Sequence, residues 1–312
     1  MKITENCLID NMPEDVYHAD PCPEPSLSSG MAQALIEKTE EEAMLENQRL
    51  NPDYEPRQSD AMDFGNIAHQ MILLGEECFE VAPYDSWRKN DAKAAREDIK
   101  SRGLIALNES TKSIVDDVLK MRDSLRRQLD DHRDFPGLMA DGAGEQSGFA
   151  KDSSGIWHRA RFDWLDEKFP DVIVDYKTTG IGFEQWEKGQ LWAEGKYMQN
   201  PHYRNVLDLI RGKNAPPSKF IWVVQQVKKP YHVRVFEIDD GYMSMVEARY
   251  NLAKLKFAHC LKTGKWRGQP PHTYHSFPPP WVESRWEIDQ LNQDALAERE
   301  KESAVVNTMV AG

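Results

Sequence analysis

The sequence contains no run approaching the ~18 consecutive apolar residues that a membrane-spanning helix needs, so no span is expected. Its amino terminus, MKITENCLID, lacks an apolar h-region, and no secretory signal is expected either. Cysteine is scarce. Cys7, Cys22, Cys78 and Cys260 are widely scattered and none forms a CxxC pair, which argues against a zinc or iron–sulfur cluster built from local spacing. A reduced, cytoplasmic protein is the simplest expectation. Internal repeats are absent. Positive charge is in deficit, with 39 Lys and Arg against 52 Asp and Glu and a net charge of −13. Spread evenly, that balance would argue against a nucleic-acid partner. It is uneven: residues 1–60 hold fourteen acids and four bases, whereas 196–234 hold eight bases and one acid, Asp208. A local basic block of this kind can contact a phosphate backbone, although an ordinary solvated face accounts for it equally.

What is present fits a globular α/β protein, 40% hydrophobic with nine Trp over 312 residues. ADPCPEPS at 19–26 is a Pro-rich loop, and SLSSG supplies caps for a helix from about 29 to 48. NPDYEPRQSD is a second loop. Helical patterns follow at 62–75, 90–101 and 109–131. Near 145 the character changes to short β-rich runs separated by turn signals such as KDSSG and DEKFPD. A helical segment is expected at 184–211, then two strands, FIWVVQQV and YHVRVFEI. A long helix is expected at 241–263, with Met245, Ala248, Leu252, Leu255 and Cys260 recurring near helical spacing. The organisation expected is one domain over 1–286, with a mostly helical part at 1–140 and a core at 145–263. Residues 287–312 are expected to form a polar, flexible tail.

The chemistry concentrates in WHRARFDWL and VIVDYKTT, read as two strands of a hairpin. Alternation puts Ile173, Asp175 and Lys177 on one face of the second strand and Arg159, Arg161 and Asp163 on one face of the first. A turn centred near Lys168–Phe169 brings Asp163 opposite Asp175, with facing Cβ atoms only ~5 Å apart. Two carboxylates that close repel unless a cation lies between them. A hard divalent metal resolves the conflict, and Lys177 falls on the same side to act on metal-bound water or on phosphorane charge. A salt bridge on an exposed face is the better explanation of D-x-K alone, and with Asp163 opposite the two readings stand level. Asp171, four residues before Asp175 and ~13 Å away along a strand, is read as a turn residue. Arg159 and Arg161 are placed for bidentate phosphate contacts, with pairing to nearby acids as the alternative. Pro201 is poorly tolerated beyond a first helical turn, so its helix is expected to start near Tyr197–Gln199 or to kink.

A carboxylate followed about a dozen residues later by D-x-K at a strand end resembles the PD-(D/E)xK nuclease superfamily. His69 in GNIAHQMIL resembles the helix-borne histidine of its RecB-type and RecE-type branch. QNPHY, Gln199 to Tyr203, resembles the Q-x-x-x-Y motif of that branch, and the order His69, Asp163, Asp175, Lys177, Gln199, Tyr203 is the same. The layout also resembles RecE (exonuclease VIII) nuclease domains over about 20–285, through LSSG, FGNIAH, ECFEVAP, GEQSGFAKDSSGIWHRARFDWL, VDYKTTG and a terminal Trp segment. The resemblance implies a restriction-endonuclease-like core with a central mixed sheet flanked by helices. It implies a Mg²⁺-dependent exodeoxyribonuclease (Mn²⁺ substituting) that degrades linear duplex DNA 5′→3′ and leaves 3′ tails. His69, Asp163, Asp175 and the backbone carbonyl of Tyr176 would hold metal, with Glu145 as a further ligand. Lys177, Gln199 and Tyr203 would complete the site, and Arg159, Arg161, Lys196 and Arg204 would contact DNA. Implied partners are DNA ends, a homo-oligomeric ring and a RecT-like annealing protein. The alternatives are a structure-specific or restriction-type endonuclease with the same metal core, and an inactive DNA-binding scaffold.

Overall fold

The computed structural model describes residues 2–55, 63–75 and 79–310. Cys78 and residues 56–62, which hold part of the second expected loop and the start of the 62–75 helix, lie outside the described residues. In chain order the elements are β1 (Cys7–Ile9), α1 (Glu14–His18), α2 (Ser29–Glu37), α3 (Glu40–Leu45), α4 (Asp63–Leu73), β2 (Phe79–Ala82), α5 (Asn90–Ser101), β3 (Ile105–Asn108) and α6 (Ser113–Asp130). Then come β4 (Gly142–Lys151), β5 (Trp157–Asp166), β6 (Val172–Thr179), α7 (Phe183–Trp186), α8 (Gln199–Arg211), β7 (Lys219–Gln226), β8 (Val233–Phe236), α9 (Asp240–Thr263) and α10 (Pro280–Val310).

Six strands form one mixed sheet in the order β1-β4-β5-β6-β7-β8, antiparallel except for the parallel pair β6–β7. A parallel pair needs a crossover of a dozen or more residues, and α7 and α8 lie within it. Helices cover both faces. Ile173, Phe220, Trp222 and Val224 pack with residues of α2, α8 and α9, while Val172, Val174, Tyr176, Ile221 and Val223 pack with Leu73 of α4 and Leu125 and Leu129 of α6. The separate parallel pair β2–β3 was not anticipated, because its strands are four residues each.

Local chemistry explains the helix boundaries. The Ser28 hydroxyl accepts from the Met31 N–H at 3.2 Å, and Thr39 with Glu42 forms a capping box, so the helix expected at 29–48 is two helices. The helix expected at 184–211 is also broken. A π-helical stretch (Glu187–Ala193) follows α7, Gly195 takes a left-handed φ of 77°, and a 3-10 turn (Lys196–Met198) leads into α8. Glycine adopts that φ without steric cost. Pro201 sits in the first turn of α8, where its missing N–H has no helical acceptor to lose.

On α9 the residues turned inward are Val246, Tyr250, Ala253, Phe257 and Cys260. Of the residues read from the sequence at helical spacing, Cys260 is buried, while Met245, Leu252 and Leu255 are exposed. Both faces are apolar, and the inward one carries the larger aromatic side chains. The chain divides into two compact units, Met1–Gly268 and Gln269–Gly312, and the second contains the helix Pro280–Val310. No helix among the described residues is long and apolar enough to cross a membrane.

Candidate active site

β6 delivers Asp175 and Lys177 on the side of Ile173, away from the core that takes Val172, Val174 and Tyr176. The β5–β6 ladder pairs Leu165 with Ile173 and Trp164 with Val174, so the next pair in register is Asp163 with Asp175. The strands part at that point, and the Tyr176 N–H donates instead to Asp163 Oδ2 at 2.9 Å. Side-chain alternation in β5 changes phase here: Phe162 and Leu165 both face the core beneath α8, while Trp164 faces the opposite one. Across β4–β5, Glu145 falls in register with Asp163, between the pairs Gly144–Trp164 and Gln146–Phe162. Glu145 has a φ of 53°, a left-handed conformation rare for a residue with a side chain. Such strain persists where surrounding structure imposes it, often at functional sites. Its effect is to turn a strand carboxylate onto His69.

His69 comes from α4. Its Nδ1 lies 2.9 Å from Glu145 Oε1 and its Nε2 lies 3.0 Å from Asp163 Oδ2. α4 approaches β4 this closely because Gly144 has no side chain: a Cβ there would fall 2.8 Å from the Leu73 carbonyl oxygen. Lys177 Nζ lies 2.6 Å from Asp175 Oδ2 and 3.4 Å from Asp163 Oδ2, so one ammonium bridges both carboxylates. Asp175 Oδ2 is buried and meets that ammonium as an ion pair, not as an aligned hydrogen bond. Asp175 Oδ1 accepts from Gln199 Nε2 at 3.2 Å. Gln199 thus braces Asp175 from the first turn of α8. Tyr203 lies one turn further along, stacks edge-on against Phe162 and Phe220, and is mostly buried.

The electrostatics follow from burial and proximity. Burial pushes the Asp175 carboxyl up to about 6, with Lys177 opposing and Asp163 adding to the rise. Burial also disfavours ionised Asp163, but the Lys177 ammonium and His69 hold it below the ordinary carboxylate range. His69 is depressed by burial and raised more strongly by Asp163 and Glu145, to about 10. Burial likewise lowers Lys177, and its two aspartate partners carry it above its usual value. The donor set suits a hard divalent cation. His69, Glu145 and Asp163 each offer a ligand atom, all within 4.8 Å of one another. Asp175 adds a buried carboxylate whose counter-charge is a single lysine. These residues therefore fit a metal.

The basic residues expected to meet DNA are placed differently. The Arg159 guanidinium is buried against Asp20 Oδ2 (3.0 Å), the Ser26 hydroxyl (2.8 Å) and the Tyr17 ring. Arg204 donates to the Ser218 carbonyl (2.7 Å) and pairs with Glu247. Arg159 is thus held by buried groups at the cleft wall, and Arg204 by a carbonyl and an exposed carboxylate. Arg161 pairs with Glu145 and donates to the Met12 carbonyl at 2.9 Å, yet stays partly accessible in the cleft. Lys196 is partly exposed, 3.3 Å from Glu194. Asp171 sits in the turn before β6, and its carbonyl accepts from the Lys219 N–H. The cleft holding the site has a volume of about 780 Å³. Its walls also include Glu14, Tyr17 and His18 of α1 and the N-terminus of α2 at Ser28–Gly30. Sequence reasoning missed α1, whose five residues carry no periodic signal; LSSG was legible as a cap and as a shared motif, without its place in the cleft wall.

Residues 29–270 match the family described as "PDDEXK-like domain of unknown function (DUF3799)". The fold is similar to the crystal structure of a protein from Eubacterium rectale described as "Putative exonuclease". That likeness has a TM-score of 0.51 and 13% sequence identity, and covers 88% of this chain and 98% of that one. At this identity it speaks to the fold alone. No curated protein matches the chain.

Proposed function

The chain belongs to this PDDEXK-like family, and from that premise we propose that it is a Mg²⁺-dependent exodeoxyribonuclease acting on the ends of linear duplex DNA. The observation that supports this most is the meeting of His69, Glu145, Asp163, Asp175 and Lys177 in one open cleft, from three strands and a helix. His69, Glu145, Asp163 and Asp175, with the Tyr176 carbonyl, would hold the cation; Mn²⁺ would substitute. When bound, the cation supplies Lewis acidity toward a phosphoryl oxygen and lowers the pKa of a water.

The chain's own groups do the rest. Lys177 Nζ, anchored by Asp175 and with its longer 3.4 Å contacts to Asp163 and the Tyr176 carbonyl open to exchange, would orient the attacking water and meet charge developing on phosphorus. Gln199 fixes the Asp175 carboxylate, and the packed Tyr203 ring holds the first turns of α8 in place. Arg161 is the cleft's candidate for a backbone phosphate. By resemblance, digestion runs 5′→3′ and leaves 3′ tails for a RecT-like annealing protein, and the working form is a ring.

Digestion of end-labelled linear duplex, with 5′ and 3′ labels compared in Mg²⁺ and in chelator, tests this directly. Early release of 5′ label, dependence on Mg²⁺ and an intact covalently closed plasmid are expected. Cleavage of the closed circle would favour an endonuclease, and chelator-insensitive activity would overturn the metal mechanism.

A further inference from the structure

α5 carries a row of cations that its own packing does not use. Lys89, Lys93, Arg96 and Lys100 recur at i, i+4, i+7 and i+11, the spacing of one helix face. Ile99 is buried with Ala82 and Ala106 of β2 and β3, while Asp91 and Asp98 fall on the side opposite the row. Arg96 lies over the Trp87 ring, 5.8 Å from its centroid. Lys89, Lys93 and Lys100 are exposed, and none has an ion pair among the described residues. Arg102, off the row, is by contrast paired with Glu80 at 2.7 Å and Asp98 at 3.2 Å.

Helix stability does not account for the row. Lys100, in the last turn, suits the negative end of the helix dipole. Lys89 stands at the N-cap, the positive end, where a cation is unfavourable and where its side chain makes no capping hydrogen bond. The row does lead to the candidate active site. Lys100 and Gly103–Ile105 line the same cleft as His69, Asp163 and Asp175, and Lys93 and Lys89 lie beyond that wall. From Lys100 to Lys89 the helix covers ~16 Å, the axial rise of about five base pairs. The row itself carries no aromatic side chain. Single strands are held largely by stacking on aromatic faces, whereas charges alone suit the phosphate backbone of a duplex.

We propose that α5 is a track for the backbone of undigested duplex DNA. Lys100 meets a phosphate at the cleft, and Lys93 and Lys89 meet phosphates further from the end. This role rests on the proposed nuclease activity.

Duplex binding, read by fluorescence anisotropy in the slowly digesting Lys177→Met background with Mg²⁺, tests it. Lys89→Gln/Lys93→Gln/Lys100→Gln is compared with a control removing equal charge from exposed lysines outside the cleft wall, Lys2→Gln/Lys262→Gln/Lys265→Gln. The slope of log affinity against log salt is expected to be shallower by about 2.7 in the α5 variant, and by about 0.9 for Lys93→Gln alone. Going from about 50 to about 200 mM salt therefore costs the background protein ~40-fold more affinity than the α5 variant. The control is expected to keep the full slope, and a single strand of equal length to show no such difference. An unchanged slope in the α5 variant, an equal loss in the control or an equal loss with the single strand would overturn the track. In each case digestion of duplex by the unaltered chain would leave the nuclease activity standing. A chain that neither binds nor digests duplex would overturn both.

Discussion

Replacing Asp175 with Asn is expected to make the metal-free protein more stable while destroying its activity. The Asp175 side chain is buried, and its pKa is raised from 3.8 to about 6 despite the Lys177 ammonium 2.6 Å away. A carboxyl raised on folding keeps its proton longer in the folded state than in the unfolded chain. Its contribution is therefore neutral below about pH 4, grows unfavourable as pH rises toward 6, and is fully adverse above it. A shift of about two units corresponds to ~3 kcal/mol. Asn removes the charge and keeps the shape, although it weakens the pair with Lys177, so a net gain of ~1–3 kcal/mol is expected. For a chain of this size that is a rise of roughly 2–8 °C in unfolding temperature. The assay is thermal unfolding in chelator at pH 8 and at pH 4.5, repeated with Mg²⁺, beside nuclease activity. The stability gain should appear at pH 8 and shrink at pH 4.5. Mg²⁺ should stabilise the unaltered protein and stabilise the Asn variant much less. An Asn variant less stable than the parent in chelator at pH 8 would refute this account of the site.

Lys177→Met is expected to lower the turnover rate ~10²–10³-fold and, because it strips the bridging cation from Asp163 and Asp175, to cost ~3 kcal/mol in chelator. Added Mg²⁺ should recover most of that stability without recovering activity, which calorimetry and turnover assays read separately. Gly144→Ala is expected to cost ~1–3 kcal/mol through the clash with the Leu73 carbonyl; because it displaces the helix bearing His69, Mg²⁺ affinity measured by titration should fall with it. His202, buried with Nε2 2.9 Å from the Arg159 carbonyl oxygen, is held down to about 3, mainly by burial. As pH falls below ~6.5 the unfolded chain takes a proton that the folded state refuses, so His202 should account for ~2 kcal/mol of lost stability by pH 5. Denaturant titrations of His202→Gln between pH 7 and 5 should show that slope removed.

Sequence by itself determined the centre of the site, for reasons local to the chain. Alternation with period two and a short turn are enough to bring Asp163 across from Asp175 and to put Lys177 beside them. Helical periodicity placed His69 on α4, and the rule against proline inside a helix placed the start of α8. Tertiary structure alone decided the rest. The fold brings Asp20 to Arg159 and Glu247 to Arg204, and no local pattern encodes a partner 139 or 43 residues away. The left-handed turn at Glu145 is imposed by its neighbours against its own preference, so the contact of its carboxylate with His69 has no signal in strand periodicity. On α9 both faces are apolar, and periodicity is blind to which one meets the sheet; packing of Tyr250 and Phe257 chose, and left Leu252 and Leu255 outside.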